Sequence, residues 1–220
     1  NLYLSSAITY TNSMAELCEK IGTKWSYIEE ILRRDRRIGN YAYLKPGLGI
    51  LSGNLQRDLV TSQKIFKASK CKSNLIENFI KLSNQRKKWI LDILKKETKN
   101  KKFVIGIFGS TYKENISTLK NSPMIDIIEN FPKQNFIIFD PVNDLNLKYK
   151  NSKISKNFNE FLKFSDILIF LTPWSFIKNK SNQQKLKKIK SRLLIDPYNI
   201  IDDKYINLLK VKKLVMGKKI

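Results

Sequence analysis

A chain of 220 residues, 42% of them hydrophobic, can bury a sizeable core and fits one or two domains. With two cysteines, Cys18 and Cys71, it carries no disulfide framework, and with no histidine it offers neither a zinc site nor a His-based triad, which leaves carboxylates, lysine, amides or a bound cofactor for any catalysis. The 42 basic against 19 acidic residues give a formal charge of +23, but lysine is spread through the chain with Asn and Ile instead of gathering at a nucleic-acid motif, so nucleic acid is disfavoured as a partner and phosphate-bearing small molecules are favoured.

No apolar run reaches the roughly 18 residues of a membrane helix, and no basic stretch followed by an apolar one opens the chain, which predicts a cytoplasmic protein without membrane contact. Asn1-Leu2-Tyr3-Leu4 reads as helix from the outset without a start signal, so the expectation is that sequence upstream is missing. The first helix runs to about Lys20, with Leu2, Ala7, Ile8, Met14, Leu17 and Cys18 at helical spacing and Gly22 as its C-cap. Thr23 is the expected cap of a second helix whose Trp25, Ile28, Ile31 and Leu32 share a face. Arg33-Arg34-Asp35-Arg36-Arg37-Ile38-Gly39 closes it; on composition that is a solvated basic helix end.

Pro46-Gly47-Leu48-Gly49-Ile50-Leu51-Ser52-Gly53-Asn54 then forms a glycine-punctuated loop running straight into a helix of about Asn54–Ala68. Such a loop permits positive φ and close backbone approach, and the first helical turn offers unpaired N–H groups to a polar ligand atom. A plain turn between two helices explains it about as well. A long helix is expected from Ser73 to about Thr98, its apolar side formed by Leu75, Ile76, Phe79, Ile80, Leu82, Trp89, Ile90, Ile93 and Leu94.

At Lys101 the hydrophobic period changes. Apolar runs at Phe103–Gly109, Phe136–Phe139, Ile167–Leu171 and Leu193–Ile195, with a weaker one at Leu214-Val215, alternate with helical segments near Pro123–Asn130, Asn159–Phe164 and Gln183–Lys190. Continuous apolar strands between helices predict a parallel sheet covered on both faces, a second domain over 101–220 after a helical domain over 1–100. Ligands of such sheets bind at the strands' carboxyl ends, where Ser110, Thr111, Lys113, Asp140, Thr172 and Asp196 supply polar groups. The dinucleotide fingerprint Gly-x-Gly-x-x-Gly does not occur.

The glycine loop resembles the active-site loop of the UDP-glucose/GDP-mannose (nucleotide-sugar 6-) dehydrogenase family, Pro-Gly-x-Gly-aromatic-Gly-Gly-Ser-Cys-x-x-Lys-Asp. Pro46, Gly47, Gly49 and Asp58 match in register; Arg57 stands at the lysine, Leu51 and Ser52 at two glycines, and Asn54 at the nucleophilic cysteine. Asp35, Arg37 and Gly39 are similar to the family's Asp-x-Arg-Ile-Gly segment, which implies that Arg37 reaches a substrate on the neighbouring subunit. Asn1 with Tyr3-Leu4 matches the start of Asn-x-Tyr-Leu. Further on, Gly109 to Pro123 resembles Gly-x-x-x-Lys…Arg-x-Ser-Pro with Lys113 at the lysine and Lys120 at the arginine; Asp140-Pro141, Ser165-Asp166 and Thr172-Pro173-Trp174 also fall in order, and Asp196-Pro197-Tyr198-Asn199 replaces Asp-Gly-Arg-Asn.

The resemblance implies an N-terminal helical dimerisation region followed by a Rossmann-like parallel α/β domain, and a homodimer. It also implies a family reaction in which NAD oxidises the sugar C6 alcohol to the acid in two hydride transfers, through a covalent adduct on cysteine. By this match Asn1, Asn54 and Asp58 are the catalytic-position residues, and Arg37, Gly47, Gly49, Gly53 and Lys113 the substrate-binding ones. The NAD-binding domain would lie upstream. Because an amide is neither ionised nor nucleophilic at neutral pH, the expected protein is a truncated, degenerate homologue; a non-catalytic nucleotide-sugar-binding or assembly module and a basic nucleic-acid-binding protein are the alternatives.

Overall fold

The computed structural model describes residues 1–72, 74–99, 101–116, 118–142 and 148–219. These form two compact units: one holds Asn1–Trp89 together with the chain end from Met216, the other Ile90–Val215. The expected line at residue 100 followed the change of hydrophobic period, whereas compactness divides the chain eleven residues earlier. The last helix before the sheet is tied to the sheet's own unit by Glu97, which pairs with Lys212 (2.9 Å) and Arg192 (3.2 Å).

The first unit is helical: α1 Leu2–Ile21, α2 Trp25–Arg34, α3 Gly53–Ala68 and α4 Asn74–Lys87, with α5 Trp89–Thr98 beginning at its edge. Gly22 ends α1 in the left-handed conformation (φ 83°), its N–H donating to the Cys18 carbonyl, as a glycine C-cap should. The expected cap at Thr23 is displaced by one residue. Lys24 is extended because it bridges antiparallel to Lys218, and the Trp25 N–H donates to the Gly217 carbonyl (2.8 Å), so α2 starts only at Trp25. The single helix expected to Thr98 is two helices broken at Lys88, whose N–H turns back to the Gln85 carbonyl; Ser73, its expected start, lies outside the described residues.

The apolar clusters among this unit's described residues include Ala15, Cys18, Trp25 and Leu44, with Met14, Leu32 and Ala42 against them, and Ile50, Leu59 and Ile76, with Leu2, Ile8, Leu55 and Phe79. Leu17, Ile28, Ile31, Leu75 and Leu82, expected on inner faces, are exposed. On α1 the face turned inward is instead partly polar, with Ser5, Thr9, Asn12 and Glu19 buried at helical spacing.

Glu19 explains how such a face is tolerated. Its carboxylate accepts from Arg86 Nη2 (2.6 Å) and Nη1 (3.1 Å), from Trp89 Nε1 (3.3 Å) and from the Gly217 N–H (2.7 Å). Both side chains are almost fully buried, at 6% and 4% exposure; these donors fill the carboxylate's lone pairs, while Arg86 Nε and, on the same face of α1, Ser5 Oγ are buried without a hydrogen-bond partner. Gly217 is required in its place, since φ is +74° and a Cβ there would meet Trp25 Cβ at 2.7 Å.

The second unit carries a six-stranded, all-parallel sheet in the order β3-β2-β1-β4-β5-β6: β1 Val104–Phe108, β2 Asn135–Phe139, β3 Ser152–Ile154, β4 Ile167–Phe170, β5 Leu193–Ile195 and β6 Lys212–Leu214. Helices α6 Pro123–Asn130, α7 Phe158–Phe164, α8 Ser175–Lys178 and α9 Lys180–Lys185 connect the strands, α9 running on into a 3₁₀ turn at Leu186–Lys188. Strands β1, β4 and β5 are buried almost throughout, as a doubly covered parallel sheet demands, and aromatic packing of Phe108, Phe139, Phe158, Phe161 and Phe170 dominates one core cluster. The edge strand β3 gave no sequence signal because Ser152 and Lys153 leave Ile154 as its one apolar residue.

Replacing Glu19 by Gln, or Arg86 by Leu, leaves a buried charge without its partner and should destabilise the first unit by about 3–5 kcal/mol, read as a lower urea midpoint by the fluorescence of Trp25 and Trp89. A change below about 1 kcal/mol would mean that the carboxylate is solvated and does not hold the chain end.

Candidate functional site

The loop between α2 and α3 is held from beneath by side chains of the helical unit. The Gly47 N–H donates to Asn12 Oδ1 (2.8 Å), the Gly49 N–H to the Gly47 carbonyl (2.8 Å), and the Ile50 N–H to Ser83 Oγ (2.8 Å). Ile50 and Leu48 are buried, and Gln56 closes the loop from α3 by donating to the Ile50 carbonyl (2.7 Å). Gly49 has φ +77°, and a Cβ on it would come within 2.6 Å of the Ser83 carbonyl oxygen, so this glycine serves the fit of loop on α4. The cavity left under the loop is only about 10 Å³, room for one water at most, so a ligand must approach from the outer side.

That outer side is the start of α3. Ser52 is the N-cap but makes no side-chain bond into the first turn, and a Cβ on exposed Gly53 would stand in open space. Asn54 is exposed in that turn, and Asp58 follows one helical turn later on the same face. Asp58 Oδ2 accepts from Asn1 Nδ2 at 2.5 Å, and Arg57 donates to Oδ1 at 3.0 Å. These bonds, Asn1 first and Arg57 second, hold the Asp58 carboxyl below its usual range, so it is a carboxylate at neutral pH. Asn1 and Asp58, 57 positions apart, thus meet at one place beside the loop, and Asn54 lies on the helix that carries Asp58.

Arg37 is elsewhere in this unit, in the turn after α2, where Asp35 accepts from its backbone N–H (2.9 Å), Nε (3.0 Å) and Nη2 (2.6 Å). The guanidinium is 89% exposed, so it is preoriented by Asp35 and faces solvent.

In the α/β unit the polar residues at the strands' carboxyl ends are bonded mainly to one another. Ser110 donates through both N–H (2.8 Å) and Oγ (2.6 Å) to Asp140, Ser122 Oγ donates to the Ser110 carbonyl while capping α6, and Thr172 Oγ1 donates to the Thr111 carbonyl. Asp196, wholly buried, accepts from the Ile200 (3.0 Å) and Ile201 (2.9 Å) N–H groups with Lys213 3.6 Å away; burial pushes its carboxyl above the usual range. Of the residues assigned to this edge, Lys113 is exposed, its carbonyl accepting from Thr111 Oγ1 (2.7 Å).

The glycine of the turn after β1 is taken up by packing. A Cβ at Gly109 would meet Thr172 Oγ1 at 2.2 Å and one at Gly106, within β1, would meet Ser165 Oγ at 2.1 Å, so both glycines make room for neighbouring side chains. Among the described residues no group of carboxylates and cysteines could hold a metal ion, and no helix is long and apolar enough to cross a membrane.

A helical unit with an ordered glycine loop, followed by a parallel α/β unit with a basic residue beside β1, defines the class; sequence comparison supplies the family. Residues 1–85 match the central domain of the UDP-glucose/GDP-mannose dehydrogenase family and residues 106–203 match its UDP binding domain. The chain belongs to this family. It is 28% identical over 231 residues to a UDP-glucose 6-dehydrogenase of Rickettsia prowazekii, covering all of this chain and 52% of that one, and 23% identical to a UDP-glucose 6-dehydrogenase of Bacillus subtilis, covering 91% and 44%. The chain thus spans about half the length of the curated relatives it matches. Similar folds occur in a UDP-glucose dehydrogenase from Pyrobaculum islandicum (TM-score 0.77, 14% identity, 99% of this chain and 49% of that one) and in a UDP-D-ManNAc dehydrogenase from Pyrococcus horikoshii (0.74, 17%, 98% and 49%).

Two loop-positioning residues, Asn12 and Ser83, were not found by sequence reasoning. A signal existed in the polar stripe Ser5, Thr9, Asn12, Glu19 on an otherwise apolar-spaced helix, since polar side chains on a buried face need partners.

The Asn1 bond has a pH signature. A carboxyl with a lowered pKa keeps its bond above its ordinary value of 3.8 and loses it as pH falls through the lowered value. NMR titration should give Asp58 a midpoint below 3.8, and Asn1→Ala should raise it; the same midpoint in both proteins would mean that Asn1 makes no such bond. Gly49→Ala should cost about 1–3 kcal/mol of stability by forcing an alanine into the left-handed region against Ser83.

Proposed function

We propose that this chain binds a nucleotide sugar and, by itself, does not oxidise it. The observation that carries the reading is an ordered family loop with an amide, Asn54, at the position of the family's nucleophile. In the family scheme a thiolate captures the aldehyde formed by the first hydride transfer; an amide nitrogen has its lone pair delocalised into the carbonyl and cannot do so, although Asn54 can hydrogen-bond a sugar hydroxyl. Asn1 Nδ2 is a donor suited to a developing alkoxide and the Asp58 carboxylate is an acceptor, so the polar apparatus around the missing sulfur is retained. The family's NAD supplies the hydride acceptor when bound, whereas Gly106 and Gly109 at β1 are taken up by packing against Ser165 and Thr172.

Binding is assigned to Lys113 for phosphate charge, to Arg37 for a ligand of the partner subunit, and to the outer side of the Gly47–Gly53 loop. Only part of that loop's backbone is available, since the Gly47, Gly49 and Ile50 N–H groups already have partners within the helical unit, which leaves the turn at Gly53-Asn54 to meet the sugar. Pro197-Tyr198 in place of Gly-Arg removes one cation, and Leu51 is turned inward. Loss of one charged contact costs about 1.5–3 kcal/mol, or one to two decades, so affinity for UDP-glucose should be in the high micromolar range or weaker.

A homodimer through the helical unit completes the reading. Tyr3, Tyr10, Leu17 and Ile21 form a stripe along α1 at spacings of i, i+7, i+14 and i+18, each between 48% and 81% exposed, and an unpaired apolar stripe of that length is hidden by a second copy. The same stripe favours the assembly-module alternative over a soluble monomer.

Calorimetric titration of UDP-glucose, UDP and GDP-mannose into wild type and Lys113→Ala tests the binding: weak binding of the UDP compounds that drops at least tenfold in the variant is expected, and equal binding by both proteins removes Lys113 from the site. NADH absorbance growth with UDP-glucose would contradict the loss of oxidation. Light scattering should show a dimer at micromolar concentration that Tyr10→Glu with Leu17→Glu turns into monomers.

A further inference from the structure

In the α/β unit, α7 on one side and α9 with its 3₁₀ continuation on the other flank an open groove of about 720 Å³, lined by Lys163, Lys185, Lys188 and Lys190 with the amides of Asn159 and Gln184 between them and no acidic residue. Three other lysines of this unit have carboxylate partners: Lys204 with Asp202 (2.6 Å), Lys212 with Glu97 (2.9 Å) and Lys213 with Asp203 (2.8 Å). Among the described residues the groove lysines have none. Lys185 reaches Asn182 Oδ1 (3.0 Å) and lies 5.8 Å from the Phe158 ring, and Lys163 stands 5.3 Å over Phe164. A lysine in the last turn of a helix complements the helix dipole, which accounts for Lys163 and Lys185. It does not account for Lys190, which lies past both α9 and the 3₁₀ turn; there Lys188 and Lys190 point outward while Leu186 and Ile189 are buried.

We propose that this groove is a second anion site that binds a small ligand carrying three or more linked phosphates. Four unneutralised ammonium groups around one space raise the local potential for a multiply charged anion, and lysine binds phosphate as a point charge while the amides donate to bridging oxygens. The groove's volume lies in the range of small-molecule sites, and seven-residue α7 spans only about 10 Å, which matches a tri- or tetraphosphate and is short for the phosphate track of a nucleic acid. No residue of the groove belongs to the nucleotide-sugar reading, so the two stand or fall separately.

The test titrates inorganic phosphate, pyrophosphate and tripolyphosphate into the whole chain at low salt, alongside a uridine dodecamer. Affinity should rise with each added phosphate, and tripolyphosphate binding should fall at least tenfold in Lys185→Gln with Lys188→Gln but stay unchanged in Lys45→Gln with Lys64→Gln, which removes the same charge from the helical unit. Equal weakening by both pairs would show that the net charge of the chain does the binding and would overturn the site. So would absence of tripolyphosphate binding at millimolar concentration. Tighter binding of the dodecamer than of tripolyphosphate, with a salt slope greater than about three, the most that four neutralised phosphates give on a single strand, would replace the compact site by an extended nucleic-acid track.

Discussion

The helical unit depends on one buried carboxylate. Glu19 collects the guanidinium of Arg86, the indole N–H of Trp89 and the backbone N–H of Gly217, and so joins α1, α4, the start of α5 and the chain end in a single hydrogen-bonded centre. An ion pair so buried gains little over a hydrophobic substitute, but it tolerates only one arrangement of its donors. In this chain that arrangement fixes the inward face of α1, and the same face presents Asn12 to the glycine loop two turns earlier. The loop's order therefore follows from the packing of α1 against α4: Asn12 holds Gly47 from one helix, and Ser83 holds Ile50 and crowds Gly49 from the other.

This changes how the glycines are understood. Gly49 is dictated by a positive φ and the nearness of the Ser83 carbonyl, a structural need that would persist with no ligand. Gly53, in open space at the mouth of α3, has no such need. The identity of residue 54 has little bearing on the loop's packing, because the Asn54 side chain is exposed while Ser83 holds the loop through the Ile50 N–H. The Asn1–Asp58 bond ties the residue before α1 to α3.

Much of the architecture was legible in the sequence. The change from helical to strand periodicity at Lys101 located the sheet, Gly22 and Ser122-Pro123 marked helix ends through their backbone chemistry, and the parallel topology followed from apolar strands alternating with helices. What escaped depended on distant partners or on polar side chains. Edge strand β3 has too little apolar character to register, the start of α2 is set by pairing with Lys218, and Leu17 and Ile31 look like core residues because periodicity cannot tell an inner face from an outer apolar one. Within the helical unit, the order of motifs pointed to the glycine loop and to Asp58, which the structure places on the helix that follows it. That Asn1 touches Asp58, or that Asn12 and Ser83 hold the loop, is tertiary information carried by single polar residues.

The central claim is that a binding surface survives around a site without its nucleophile. Its most direct test is an amide NMR spectrum of the isotope-labelled chain with and without UDP-glucose. The account predicts shifts concentrated at Gly53–Leu55, Asp58 and Lys113, with Gly47, Gly49 and Ile50 nearly still because their N–H groups are already bonded within the fold. A spectrum unchanged at saturating ligand, or shifts confined to residues away from these, would contradict it.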